Sequence, residues 1–493
     1  MKYLLGIDLG TSSVKSLLLD KNGKIKGITQ ESYNIDIPAP GCAEQNPEMW
    51  WAKTCITIKK LLAGTNINSK DIDGIGFSGQ MHGIVALDEA YIPIRPCIIW
   101  ADQRTKSEVD YIYSTIGRET LAQMTLNPIA TGFFGASLLW LKRNEPATYS
   151  KIHKVILPKD YIRYKMTGKI ASEITDASST LLFDTANLKW NQKLVEMLEL
   201  NPEVLPECFT PYTLAGYVTS ACASETGLFE GTPIVFGAGD QPSQALGNGI
   251  TKPGIVSVTI GTGGQVFTPV NSPIYDSKLR THTFCHVVPN TWNIMGATLS
   301  AGLSMKWLKD KILNTNSFDE MTQLAEKVPP GSEGLIFLPY LTGERTPHMD
   351  SLAKGMFFGL TLKHSKSAMI RAVMEGVVFS LKDCMDIFTD MELKMDRIIS
   401  SGGGAKSKIW KQIMADVLGF DVYTSSVIEQ ASMGAAMLAG LGTGWFSSVE
   451  ESTNKLVSLQ EEIIKPNPAN HEIYMKNFEL YKNLYTSTRH LSN

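Results

Sequence analysis

GIDLGTSSVKSLLLD, residues 6–20, decides the fold. An apolar run from residue 2 ends at Asp8, breaks at Gly10-Thr11-Ser12-Ser13 and resumes as Val14 to Leu19, the pattern of two buried strands joined by a tight turn. Asn22-Gly23 predicts a second hairpin with a type I′ turn, which needs positive φ at both central positions, and a third strand follows from Lys24. The plan recurs half a chain later. Gly254 to Ile260 runs into Gly261-Thr262-Gly263-Gly264 and then a strand over 265–268. Self-similarity at that spacing predicts two related α/β lobes. The boundary is placed near residues 244–252, where Gly247, Gly249 and Pro253 cluster, giving lobes 1–246 and 247–493. With no long linker between them, the lobes are expected to pack across a cleft.

At 493 residues the chain exceeds what one hydrophobic core usually organises. Hydrophobic residues at 43%, charged residues at 19% and a net charge of -3 exclude a disordered chain and give no basic surface for nucleic acid. Cys42, Cys55, Cys97, Cys208, Cys222, Cys285 and Cys384 contain no CxxC pair, which argues against a disulfide framework and a structural zinc site. No run reaches the ~20 apolar residues of a membrane helix, and the first apolar stretch is too short for a signal peptide. A reducing cytoplasm is the expected compartment.

Asp8 at a strand end, followed by glycine and hydroxyl residues, offers a hard-oxygen ligand beside backbone donors that can face phosphate. A Walker A loop is excluded because its second glycine is missing. Taken singly, the stretch reads as a plain hairpin turn. Its recurrence favours a grip on nucleotide phosphates from opposite lobes, with Gly10, Thr11, Ser12 and Lys15 in one turn and Gly261, Thr262 and Gly263 in the other. Asp8 would then sit near Mg²⁺. Asp240, in Gly237-Ala238-Gly239-Asp240-Gln241-Pro242, follows a short strand over 233–236 and precedes a helix expected to start at Pro242, the usual place for a reactive group. It reads equally as a helix N-cap.

Ser401-Gly402-Gly403-Gly404 joins a strand over 397–399 to a helix over 406–418, and reads either as a close approach to a flat ligand or as a simple loop. Gly440-Leu441-Gly442-Thr443-Gly444 reads as a helix end. His282 and His286 have metal-pair spacing, but the 281–288 stretch alternates like a strand, which argues against ligation. Met81 and Met295 read as packing residues.

In order along the chain, GIDLGTSSVKSLLLD, EQNPEMWW (44–51), GQMHG (79–83), IIWADQRT (98–105), LPKDYIRYKMTG (157–168), GAGDQPSQALG (237–247), IGTGG (260–264), LPYLTGERTPH (338–348) and SGGGAKSKIW (401–410) resemble the FGGY carbohydrate kinase family. GQMHG and GERTPH resemble its xylulokinase members more than its glycerol kinases. The resemblance implies two actin-like, ribonuclease-H-like α/β lobes with a central interlobe cleft, sugar deep in the cleft and ATP on the second lobe. It implies phosphorylation of a ketose, D-xylulose first, with another ketose or polyol, or a non-kinase actin-fold ATPase, as alternatives. Residue by residue, it makes Asp240 the catalytic base and puts Asp8 beside the metal, with Asp240 as a second carboxylate for Mg²⁺. Met81 and His82 would contact the sugar, with Gln80, Trp100 and Asp102 around them. Thr11, Ser12, Thr262, Gly302, Lys306, Gly403, Gly404 and Lys408 fall at nucleotide-contacting positions. The implied partners are the sugar and ATP, without nucleic acid or membrane, and a homodimer is one assembly the resemblance allows. The sequence departs from the family pattern at Ser137, Ala101, Ser179, Ala368 and Gln241-Pro242.

Overall fold

The computed structural model describes residues 2–315 and 317–491. Strands β1 (Tyr3–Leu9), β2 (Ser13–Asp20) and β3 (Ile25–Ser32) form the expected meander, with Leu9 opposite Val14 across the first turn. The second turn is not type I′. Only Gly23 takes a positive φ, 80°, and the loop is wound instead by the Asp20 carboxylate, which accepts from the amides of Asn22 and Lys24 at 2.9 and 3.0 Å.

Helix α1 (Pro47–Thr65) starts where the Asn46 side chain accepts from Glu48 and a proline opens the first turn. It lays Trp50, Ile58 and Leu61 against β2 and β3. β4 (Ile72–Gly79) then joins β1 in parallel, with Ser78 opposite Asp8. After a helical insertion come α2 (Pro158–Thr167), closed by left-handed Gly168, and the single turn α3 (Ile174–Ser178). β5 (Leu214–Tyr217), β6 (Pro233–Val235) and β7 (Ala238–Gly239) return to the sheet, and α4 (Asp240–Gly247) leaves it. The sheet order is β5-β6-β4-β1-β2-β3, with β7 also on β4.

The second lobe repeats the scheme. β8 (Gly254–Ile260) is antiparallel to β9 (Gly264–Val270), and β10 (His282–Cys285) and β11 (Trp292–Thr298) extend that edge. Helices α5 (Gly302–Trp307) and α6 (Lys366–Asp390) precede β12 (Met395–Gly402), which joins β8 in parallel as β4 joins β1. A 3₁₀ turn over 403–406 delays α7 to Lys408–Leu418, and β13 (Val422–Thr424) ends the order β10-β11-β9-β8-β12-β13. The strand expected over 281–288 stops at Cys285.

Helix α8 (Gln430–Gly442) comes late in the chain yet packs on β1, β4 and α4 of the first lobe. The approach is close. A Cβ at Gly6 would lie 2.1 Å from the Ser432 carbonyl oxygen, and one at Gly434 2.0 Å from that of Ser243. Only glycine admits such contacts. α4 and α8 therefore cross backbone to backbone where the two halves of the chain meet. No helix among the described residues is long and apolar enough to cross a membrane.

Candidate active site

Three strands of the first lobe end level. Asp8 faces Ser78, Ser78 faces Ala238, and Gly79 forms the next rung with Leu9 and Gly239. Beyond that rung the chains leave the sheet, so Asp240 emerges beside Gln80-Met81-His82. Helix α4 begins at Asp240, two residues before the expected start at Pro242, with extended Gly239 as its cap. The N-cap role read for Asp240 is thereby corrected. Pro242 is accommodated because first-turn amides have no partner within the helix to lose.

Burial, and then the negative charge of Asp8, push the Asp240 carboxyl up to about 7, against hydrogen bonds from Gln241 that pull it down. Burial also raises Asp8, partly offset by Ser78 and Lys15. One Asp8 oxygen, Oδ1, is buried without a hydrogen-bond partner. Lys15, expected at the phosphates, reaches Glu429 at 2.6 Å. Glu429 immediately precedes α8, so this partner was invisible from the local sequence.

Around Asp240, Met81 is buried, and a Cβ at Gly239 would touch its Sδ at 2.9 Å. His82 holds a left-handed φ of 71°, a strained conformation for a histidine. Its Nδ1 lies 2.9 Å from the Ser179 carbonyl and therefore carries the proton, which leaves Nε2 as an acceptor. Phe133 covers the ring at 4.1 Å, and burial lowers the imidazole to about 4, so it is neutral. Gln80 is buried, donating to Gln45 at 2.9 Å, while its own Oε1 has no partner. Trp100 is partly exposed and donates to the Thr11 hydroxyl at 2.8 Å. Asp102 does not line the cleft. It is wholly buried, accepts from the Ala43 amide at 2.6 Å and pairs with Arg104 at 2.7 Å.

In the first turn, Gly10 donates to the Ser13 carbonyl and accepts from the Tyr33 hydroxyl at 2.5 Å, and Ser12 is exposed. In the second, the Gly261 carbonyl accepts from Gly302, and that of Thr262 from Ala301 and Leu303, so the start of α5 clamps the Gly261-Thr262-Gly263 turn. A cavity of about 570 Å³ is lined by Gly261, Thr262, Gly302, Gly403, Gly404 and Lys408. These expected positions, scattered over 148 residues between Gly261 and Lys408, thus converge. A second cavity, about 750 Å³, shares Gly403 with the first and reaches Asp8 and Lys15. Lys306 is exposed and lines neither cavity, and the Lys408 ammonium pairs with Glu462 at 2.8 Å.

Two residues escaped the sequence reading. Lys406, placed only at a helix start, lines both cavities. Arg345, inside GERTPH, is desolvated, and its charge adds to the burial that lowers His82 and His282. The motif was visible, but its proximity to a histidine 263 positions earlier was not. His282 is buried at 5.4 Å from Phe133, its Nδ1 3.2 Å from Asn127. No three His, Cys, Asp or Glu side chains among the described residues converge on a metal position.

The N-terminal domain of the FGGY family of carbohydrate kinases matches residues 3–247, and its C-terminal domain residues 256–443. The chain is 36% identical to a xylulose kinase of Bacillus subtilis (strain 168), over 100% of this chain and 98% of that protein. Among solved structures, a ligand-bound xylulose kinase from Lactobacillus acidophilus superposes with a TM-score of 0.94 at 27% identity, covering 99% of each chain. A gluconate kinase from Lactobacillus acidophilus gives 0.93 at 27%, covering 99% of this chain and 98% of the other. Two lobes of one plan, each matched by its own half of the family and superposed over their whole length on sugar kinases, establish that this chain belongs to the FGGY family of carbohydrate kinases.

Proposed function

We propose that this kinase transfers the γ-phosphoryl group of ATP to a hydroxyl of a ketose, D-xylulose giving D-xylulose 5-phosphate, with Asp240 as general base. The observation that carries the reading is the raised carboxyl of Asp240 at the cleft end of β7, beside Met81 and His82. A sugar hydroxyl is far too weak an acid to ionise near neutrality, so a base must take its proton as the oxygen attacks in line. A carboxyl poised near 7 suits that task better than an ordinary aspartate. Neutral His82 offers Nε2 to a second hydroxyl, and Met81 supplies an apolar wall. The Gly10-Thr11-Ser12 and Gly261-Thr262 turns hold the phosphates, while Gly302, Gly403, Gly404 and the stem of Lys408 border the nucleotide.

Asp8, with its unpartnered buried oxygen, fits a hard divalent cation carried on the nucleotide, and Asp240 stands as the second nearby carboxylate. Bound there, Mg²⁺ would neutralise phosphate charge. Seven free thiols suit a reducing compartment, the cytoplasm.

The pH dependence follows from the base. Asp240 accepts a proton only when ionised, so kcat/KM is expected to fall about tenfold per pH unit below pH about 7 and to level off above it. A rate profile flat from pH 5 to 8 would remove Asp240 as the base.

A second reading, gluconate as acceptor, has Arg345 in its favour, a desolvated cation near His82 that would suit a carboxylate. ADP release measured over D-xylulose, other ketoses, alditols and gluconate decides between them. D-xylulose is expected to give the highest kcat/KM. A higher value for gluconate would replace the first reading with the second.

A further inference from the structure

We infer that the single helical turn α3, held in place by a buried ion cluster, positions the two sugar-facing groups, and that Thr175 is its positioning residue for Asp240. The inference rests on the base role proposed for Asp240.

The cluster lies directly beneath the strand ends. Lys159 is wholly buried and reaches Asp160 at 2.8 Å, Asp176 at 2.9 Å and Glu173 at 3.1 Å. It sits so close under β4 that a Cβ on Gly79 would meet its own Cβ at 2.8 Å. Glu173, fixed by that lysine, caps α3 by accepting from the amides of Thr175 and Asp176 at 2.7 and 3.0 Å. The Thr175 hydroxyl donates to Glu173 at 2.9 Å and accepts from the Gly239 amide at 3.0 Å. A continuous chain of contacts thus runs from Lys159 through Glu173 and Thr175 to the residue that precedes Asp240.

The other end of the same turn holds the opposite side of the sugar position. Ser179, the residue after α3, accepts from His82 Nδ1 at 2.9 Å. Ser178 accepts from the Cys285 amide at 3.0 Å, which ties α3 to β10 of the second lobe, the strand that carries His282. One rigid turn therefore sets the separation of Asp240 from His82 and registers both against the second lobe. A wholly buried scaffold suits that use, because displacement of a reacting group by about 1 Å can cost on the order of 10²-fold in rate.

Thr175→Val removes the hydroxyl and leaves the Gly239 amide and Glu173 without it. Turnover per folded molecule, with the folded fraction fixed by nucleotide titration, is expected to drop about 10- to 100-fold. KM for ATP should stay within about twofold, and Thr175→Ser should recover turnover to within about threefold of the parent. A purely structural role predicts instead a smaller folded fraction with unchanged turnover per folded molecule, and that result overturns the inference. Should the valine variant not accumulate, Thr175→Ala deletes the same hydroxyl without adding an apolar branch and is read in the same way. Asp240→Asn measured alongside separates the two claims. Normal turnover in Asp240→Asn refutes the base, whereas loss there with parental turnover in both Thr175→Val and Thr175→Ala refutes the positioning alone.

Discussion

Asp240→Asn is expected to lower turnover by about 10²- to 10⁴-fold, the usual contribution of a general base. This corresponds to about 3–5 kcal/mol of barrier. Asparagine keeps the shape of the side chain at the first position of α4 and can still accept from Gln241. It cannot take a proton at neutral pH, so the loss isolates the acid–base step from packing. The cavity proposed for the nucleotide lies on the second lobe, around Gly261, Gly302 and Gly404, and ATP affinity should change little. Coupled ADP release gives turnover, and nucleotide titration gives affinity. Turnover within about threefold of the parent would leave Asp240 without a chemical role. If affinity for ATP fell in step with turnover, the carboxylate would be acting through the metal and phosphates rather than on the sugar.

The second large effect concerns stability. Lys159→Met is expected to destabilise the fold by about 3–5 kcal/mol, the cost of leaving buried carboxylates without their partner. Two cations, Lys159 and Arg163, share this interior with Asp160, Glu173 and Asp176, all wholly buried. Burial, together with Glu173 and Asp160, pushes Asp176 well up despite Lys159. A proton on Asp176 would bring the group to neutrality. Removing Lys159 breaks that balance inside a wholly buried group. Adding Glu173→Gln to Lys159→Met should therefore recover part of the loss, with a coupling of about 0.5–3 kcal/mol, because the second change removes a charge that the first left unpaired. Denaturant melts of both single variants and the pair measure this. A Lys159→Met loss below about 1 kcal/mol would mean that the carboxylates discharge themselves by taking protons.

Much of the fold was legible because its signals are local. The apolar runs flanking the turns at Gly10 and Gly261 need only neighbouring residues to be read. The same holds for Asp240, whose place at a strand-to-helix junction follows from the apolar run before it. Distant partners were not legible. Lys15 finds Glu429, 414 residues away. Asp102 is consumed by Arg104 and by the Ala43 amide, 59 residues back. Glu429 and Ala43 leave no mark on the local pattern, whereas Arg104 lies only two residues from Asp102.

The sequence by itself determined two similar lobes, two Gly-Thr turns and two acids at strand ends, Asp8 and Asp240, since backbone periodicity and turn chemistry act over a few residues. Tertiary structure alone decided that α8 crosses to the first lobe, that the Asp240 carboxyl rises to about 7, and that α3 ties Gly239 to His82. The physical reason is that desolvation, charge pairing and backbone contact depend on separation in space, and the chain brings residues hundreds of positions apart into contact only once it has folded.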